Sequence, residues 1–214
     1  MVAIAVVAAT LAMQRVLFRQ PFHAAIVWLG LTRSTTRGVA AGIAIGLLLL
    51  LVIPVYAVHA GVAVKWYPGG TGLLVGLMAQ GGVAEEVLFR GYLFGHARGG
   101  RPFWRAVALA MGPFVAVHLL LFVTLPWFLA LASVALAAAT TPPLARLYEL
   151  GGRSIWPPAL VHFVMQGAIK LIILPADVSI RLPLIWMLGC ATLPYLVFLM
   201  RNDISTPSAA GPVT

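Results

Sequence analysis

The sequence predicts an all-α bundle that crosses a lipid bilayer about seven times, and three observations carry the prediction. Apolar residues make up 62% of the 214 positions and charged residues only 9%, with a mean hydropathy of +1.02. No soluble domain of this size manages with so little polar surface. The apolar residues also come in long runs separated by short basic or Pro/Gly segments, and the basic residues fall unevenly between alternate segments.

The elements follow in order. Val2 to Phe18 is just long enough to cross. It lacks a basic n-region and an early A-x-A site, so it reads as a retained helix. Arg15, Arg19, Arg33 and Arg37 frame a loop, and Gly38 to Val64 is a second span with Pro54 as an expected kink. Trp66 and Tyr67 mark an interface, and Pro68-Gly69-Gly70 turns the chain. Thr71 to about Ala97 is the third span and Phe103 to Val123 the fourth. The fifth runs from Pro126 to about Leu147, with a break expected at Pro142-Pro143. Ile155 to Leu174 is the sixth, Pro175 to Pro183 a loop, and Leu184 to Met200 the seventh. Residues 1–201 thus make one membrane domain, and the Ser/Thr/Pro/Gly/Ala-rich residues 202–214 read as a disordered tail.

Alternate loops place Arg15, Arg19, Arg33, Arg37, Arg90, Arg98, Arg101, Arg105, Arg146, Arg153 and Arg201 on one side and Lys65, Lys170 and Arg181 on the other. The positive-inside rule makes the first side cytoplasmic, with the N-terminus outside and the C-terminus inside the cytoplasmic membrane of a prokaryote. The formal net charge of +9 is therefore topology. No basic stripe with interleaved aromatics suggests nucleic acid. The single cysteine, Cys190, excludes an internal disulfide and a cysteine-based metal site; it is expected to face lipid or to be packed.

Within the spans the polar residues gather in three groups: Glu85-Glu86-x-x-x-Arg90 on the third, Phe114-x-x-x-His118 on the fourth and His162-x-x-x-Gln166 on the sixth. Ionisable groups at bilayer depth are expensive and mark function by default. Four residues of spacing put Glu86 beside Arg90 and His162 beside Gln166. The reading is one carboxylate, Glu86, held as a strut by Arg90, and its neighbour Glu85 free for chemistry. Glu85 can take a proton from water that His118 holds, and His162 with Gln166 can donate to the oxyanion of a tetrahedral intermediate. Phe114 is expected to pack under the site. A zinc ion on Glu85, His118 and His162 is the alternative that sequence leaves open. Counted along each helix, the depths of these residues match only loosely, so a common site requires tilt, bending or a shifted helix start. G-x-S-x-G and H-E-x-x-H are absent.

The stretch EEVLFRGYLF (85–94) resembles the first motif, E-E-x-x-x-R, of the CPBP intramembrane proteases, a family that includes type II CAAX prenyl endopeptidases and bacterial Abi-type proteins. Phe114 to His118 resembles its F-x-x-x-H motif and His162 to Gln166 its H-x-x-x-N motif, over a core of about 71–174. The resemblance implies an intramembrane endopeptidase, often described as a metalloprotease. Glu85 and His118 would activate water, and His162 with residue 166 would form the oxyanion hole. Its substrate would be a membrane-associated or lipidated protein or peptide. Position 166 departs from the pattern: it is Gln, with one methylene more than Asn. Two other classes stay open: a non-catalytic immunity or scaffold protein of the same fold, and a proton-coupled transporter using the acids and imidazoles as a relay.

Overall fold

The computed structural model describes residues 2–173 and 180–200. The chain forms a bundle of helices: α1 (Val2–Phe18), α2 (Phe22–Trp28), α3 (Thr36–Ala60), α4 (Gly70–Arg98), α5 (Phe103–Thr124), α6 (Trp127–Leu150), α7 (Trp156–Gly167) and α8 (Arg181–Leu199). Two short strands, β1 (Lys65–Trp66) and β2 (Ile172–Ile173), pair antiparallel, Lys65 opposite Ile173 and Trp66 opposite Ile172. The chain is a multi-pass membrane protein. Among the described residues five helices, α3, α4, α5, α6 and α8, are long and apolar enough to cross, and α1 with α2, bent by 113°, makes a sixth candidate. Leu47, Leu51, Val58, Leu109, Leu131 and Leu188 are exposed on the outside of these helices. Helices alone satisfy their backbone within a bilayer, so such a surface suits hydrocarbon rather than water.

Several expected boundaries move. The loop expected after Phe18 contains the extra helix α2. The sixth span ends early: α7 stops at Gly167, a 3₁₀ turn covers Ala168–Leu171, and β2 takes the place of its last turn. Even so, α7 packs along α3. A Cβ on Gly38 would stand 2.5 Å from Gly151 and one on Gly42 3.0 Å from the Pro157 carbonyl, so these glycines admit the end of α6 and the start of α7 against the start of α3. At the other end, β1 follows α3 and pairs with β2, which follows α7. The tail expected after residue 201 and most of the loop expected at 175–183 lie outside the described residues.

The expected break at Pro142-Pro143 does not occur: α6 continues through both prolines. Each proline removes the N–H that would reach back four residues. The carbonyl that Pro143 leaves without its helical donor, that of Ala139, accepts from the Tyr195 hydroxyl of α8 at 2.9 Å. Thr141 meanwhile donates its hydroxyl to the Ala137 carbonyl at 2.8 Å. A neighbouring helix thus supplies the donor, as membrane helices with internal prolines require.

Two apolar cores flank the centre of the bundle. One joins α3, α6, α7 and α8 through Leu49, Leu144, Val161, Met165, Trp186 and Cys190. Of the two placements expected for Cys190, the packed one holds, with no exposed surface. The other core joins α2, α4, α5 and α6 through Leu29, Val87, Phe94, Ala106, Tyr148 and Ile155. Gly91 allows α4 to press onto the Leu29 carbonyl, closer than any side chain would permit.

Candidate active site

The acidic motif sits in an unusual helix. In α4, residues Met78–Ala84 and Val87–Phe94 are wound as π-helix, with Glu85 and Glu86 between them. Such turns are rare and concentrate at functional sites. They widen the helix and shorten its rise, which changes the depth at which the acids lie.

Glu86 is fully buried, and its Oε1 receives two donors: Arg90 Nη1 at 2.7 Å and His162 Nδ1 at 2.6 Å. The strut expected between Glu86 and Arg90 is present, but it also anchors an imidazole across the bundle, which the sequence reading did not foresee. Because a carboxylate accepts, His162 carries its proton on Nδ1, and Nε2 presents its lone pair to the other side of the ring. Arg90 lies over the Phe114 ring, 4.7 Å from its centroid. A buried guanidinium thus gains an ion pair and an aromatic face.

Glu85 faces differently. Its side chain is 24% exposed, where that of Glu86 is 0%. Gln166 Nε2 donates to Glu85 Oε1 at 3.2 Å and lies 2.9 Å from His162 Nε2, so both amide hydrogens are directed at protein acceptors. The second carboxylate oxygen of Glu85 lies 3.7 Å from His162 Nε2, beyond hydrogen-bond range and within the span of one bridging water. Gly81 makes this arrangement possible. A Cβ there would lie 2.5 Å from the Gln166 side-chain oxygen and 2.7 Å from its Cδ.

His118 ends the regular part of α5. Its Nδ1 donates to the Phe114 carbonyl at 2.8 Å, leaving Nε2 as the free position. The Phe114 ring, 1% exposed, touches both imidazoles edge-on, His118 at 4.7 Å and His162 at 6.3 Å between centroids. Phe89 packs on its other flank at 4.5 Å. Glu85, His118, His162 and Gln166 line one cavity of about 640 Å³. Its walls come from α4, α5 and α7 and also from Val2 and Val6 of α1, Thr140 of α6 and Trp186 of α8.

The loose depths are reconciled by a recessed helix. Ile155, just before α7, is fully buried, and its N–H donates to the Gly30 carbonyl at 3.0 Å. Ser154 donates to the Thr32 carbonyl. The start of α7 is therefore sunk into the bundle, so seven residues along it reach as deep as a longer count back from Arg98. Sequence reasoning also missed Gln14. It is fully buried, and its Oε1 contacts His96 Nε2 at 2.8 Å, while His96 stacks on Phe18. A lone glutamine inside the first apolar run was the available signal.

The donors do not suit the zinc alternative as they stand. Among the described residues no three His, Cys, Asp or Glu side chains gather so as to hold a metal ion. Both nitrogens of His162 face protein partners, and Glu85 is held by Gln166. No step below is routed through a metal.

Fold and site together define a polytopic membrane protein with a buried acid–imidazole cluster opening on an internal cavity. The model of the type II CAAX prenyl endopeptidase Rce1-like family matches residues 47–168, more than half of the chain and all three polar motifs, and the chain belongs to that family. Protease activity follows at the level of the family. Neither the curated proteins nor the solved structures offer a match.

Proposed function

We propose that the chain is an intramembrane endopeptidase that hydrolyses a peptide bond of a membrane-associated or lipidated protein or peptide, with Glu85 as the base. The observation that carries this reading is that Glu85, His118, His162 and Gln166 line one cavity, with Glu85 partly open and Glu86 closed off. A water that donates to Glu85 and to the Nε2 lone pair of His118 is made a stronger nucleophile by these two acceptors. Its oxygen attacks the scissile carbonyl carbon and its proton passes to Glu85. A protonated Glu85 is a poorer acceptor, so the Gln166 amide is released toward the new oxyanion. Collapse breaks the C–N bond as Glu85 returns the proton to the leaving amine. Glu86 and Arg90 position His162 and touch no substrate.

We infer seven crossings: the five long helices, the bent α1–α2 pair, and a seventh in which α7 is extended by its 3₁₀ turn and β2. The cytoplasmic side is then the one where Arg98, Arg146 and Glu149 meet, Arg98 pairing with Glu149 at 2.6 Å. This puts the N-terminus outside and the C-terminus inside a prokaryotic cytoplasmic membrane.

The test is purified protein in lipid vesicles against a panel of membrane-tethered peptides, with Glu85→Ala, His118→Ala and His162→Ala variants and with chelator present or absent. Wild-type cleavage that disappears in folded Glu85→Ala and survives chelation supports the reading. Cleavage retained by Glu85→Ala would sink it. Loss on chelation with recovery on zinc would move the chemistry to a metal.

A further inference from the structure

We propose that Lys170 reads a carboxylate on the substrate a few residues from the scissile bond; this rests on the peptidase reading above. Lys170 is the single lysine or arginine among the residues that line the cavity. It lies in the 3₁₀ turn that follows α7, one turn beyond Gln166, and two residues before β2. Glu85, His162 and Gln166 line the same cavity, and Lys170 follows the last two along the chain toward the residues where β1 and β2 pair. Between and around them the walls are mainly apolar, with Met165, Ile169, Trp186 and Met187 nearby.

A lysine on such a wall calls for an anion. Of the chain's five acids, three lie among the described residues, and each is engaged elsewhere. Glu86 holds Arg90 and His162, Glu149 holds Arg98 and lies near Arg146, and Glu85 holds Gln166. Among the described residues no carboxylate pairs with Lys170. Lys170 is exposed at the edge of the cavity, and beside its apolar walls an ammonium gains more from a partner anion than it would in bulk water. The four residues from Gln166 to Lys170 rise about 6 Å along a helix. An extended peptide advances about 3.3 Å per residue, so the side chain reaches a carboxylate roughly two to four residues from the bond held at Glu85.

Two sources carry that chemistry: the free α-carboxylate of a chain end, or an Asp or Glu side chain. Both are read by the same ammonium, and matched peptides separate them. The probes are acyl-anchored fluorogenic peptides in pairs, one pair ending in a free acid or an amide, the other carrying Asp or Asn at the same position. Wild type should show a KM about tenfold lower for the charged member of one pair, at unchanged kcat. Lys170→Met should erase that preference and Lys170→Arg should keep it. Preference in the acid/amide pair assigns the chain end; preference in the Asp/Asn pair assigns the side chain.

Equal KM values within both pairs, or a preference that survives Lys170→Met, overturns the proposal. Binding is measured separately by comparing Glu85→Gln with the Glu85→Gln/Lys170→Met double variant. If no probe is cut, the peptidase reading fails on its own. The Kd difference between charged and neutral peptides then still decides the role of Lys170: a difference lost with the lysine sustains it, and no difference ends it.

Discussion

Oε1 of Glu86 lies 2.6 Å from Nδ1 of His162, joining the acidic motif of α4 to the imidazole of α7 through a single oxygen that also serves Arg90. Two adjacent glutamates of identical chemistry are thereby given different work. Burial and two cationic or proton-bearing partners fix Glu86, while Glu85 lines the cavity and is partly exposed. The division is one of position alone.

Glu86→Gln should therefore be a folding variant before it is an activity variant. It leaves Arg90 buried without a counter-charge, and breaking one side of a buried pair costs about 3–5 kcal/mol. The expected outcome is a lower yield of folded protein and a lower thermal midpoint in detergent. Glu85→Gln should melt within a few degrees of wild type. Equal midpoints for the two variants would remove the distinction between them.

Glu85→Gln and His118→Ala should each lower kcat by about 10²–10⁴, the usual contribution of a positioned acid–base group. His118 makes one described hydrogen bond, to the carbonyl of its own helix, so its removal should leave folding intact. A His118→Ala variant that melts normally and cleaves at the wild-type rate would show that this imidazole holds no water in the reaction.

How much of this the residues disclose depends on the range of the interaction. Contacts within one helix are legible: Glu86 with Arg90 and His162 with Gln166 are four apart, and the side chains meet as that spacing requires. Contacts between helices are not. Nothing in the spacing of α4 tells that Glu86 meets His162, because that depends on π-helical winding in α4 and on the recessed start of α7. Hydropathy finds the long helices but overruns α7, since Ile172 and Ile173 are as apolar in a strand as in a helix. It also passes over α2, whose seven residues follow a sharp bend. The Pro142-Pro143 pair misleads for the same reason: the donor that makes it tolerable, Tyr195, lies 52 residues beyond Pro143 on another helix.

Tyr195→Phe tests that last contact. It removes the hydroxyl that satisfies the Ala139 carbonyl while keeping the ring, so the cost should be about 1 kcal/mol. Thermal denaturation should show a modest fall in midpoint with cleavage unchanged at low temperature. No shift at all would mean that the carbonyl finds another donor.

Gly81 and Gln166 provide the sharpest test of the site, because the two positions compete for one volume. A methyl group on residue 81 would collide with the Gln166 amide, 2.5 Å from its oxygen, and push it off Glu85 and His162. A displacement of about 1 Å at a reacting group can cost 10²-fold in rate. Gly81→Ala should therefore lower kcat by about that factor while the helix, which favours alanine over glycine, stays folded. Gln166→Asn alone withdraws the amide by one methylene and should weaken its hold on Glu85, lowering kcat by about tenfold. In the Gly81→Ala/Gln166→Asn double variant the shorter amide clears the new methyl. The two defects should not add, and the double variant should cleave faster than Gly81→Ala alone. Rates that simply multiply would mean that the glycine and the glutamine do not share the space the structure gives them.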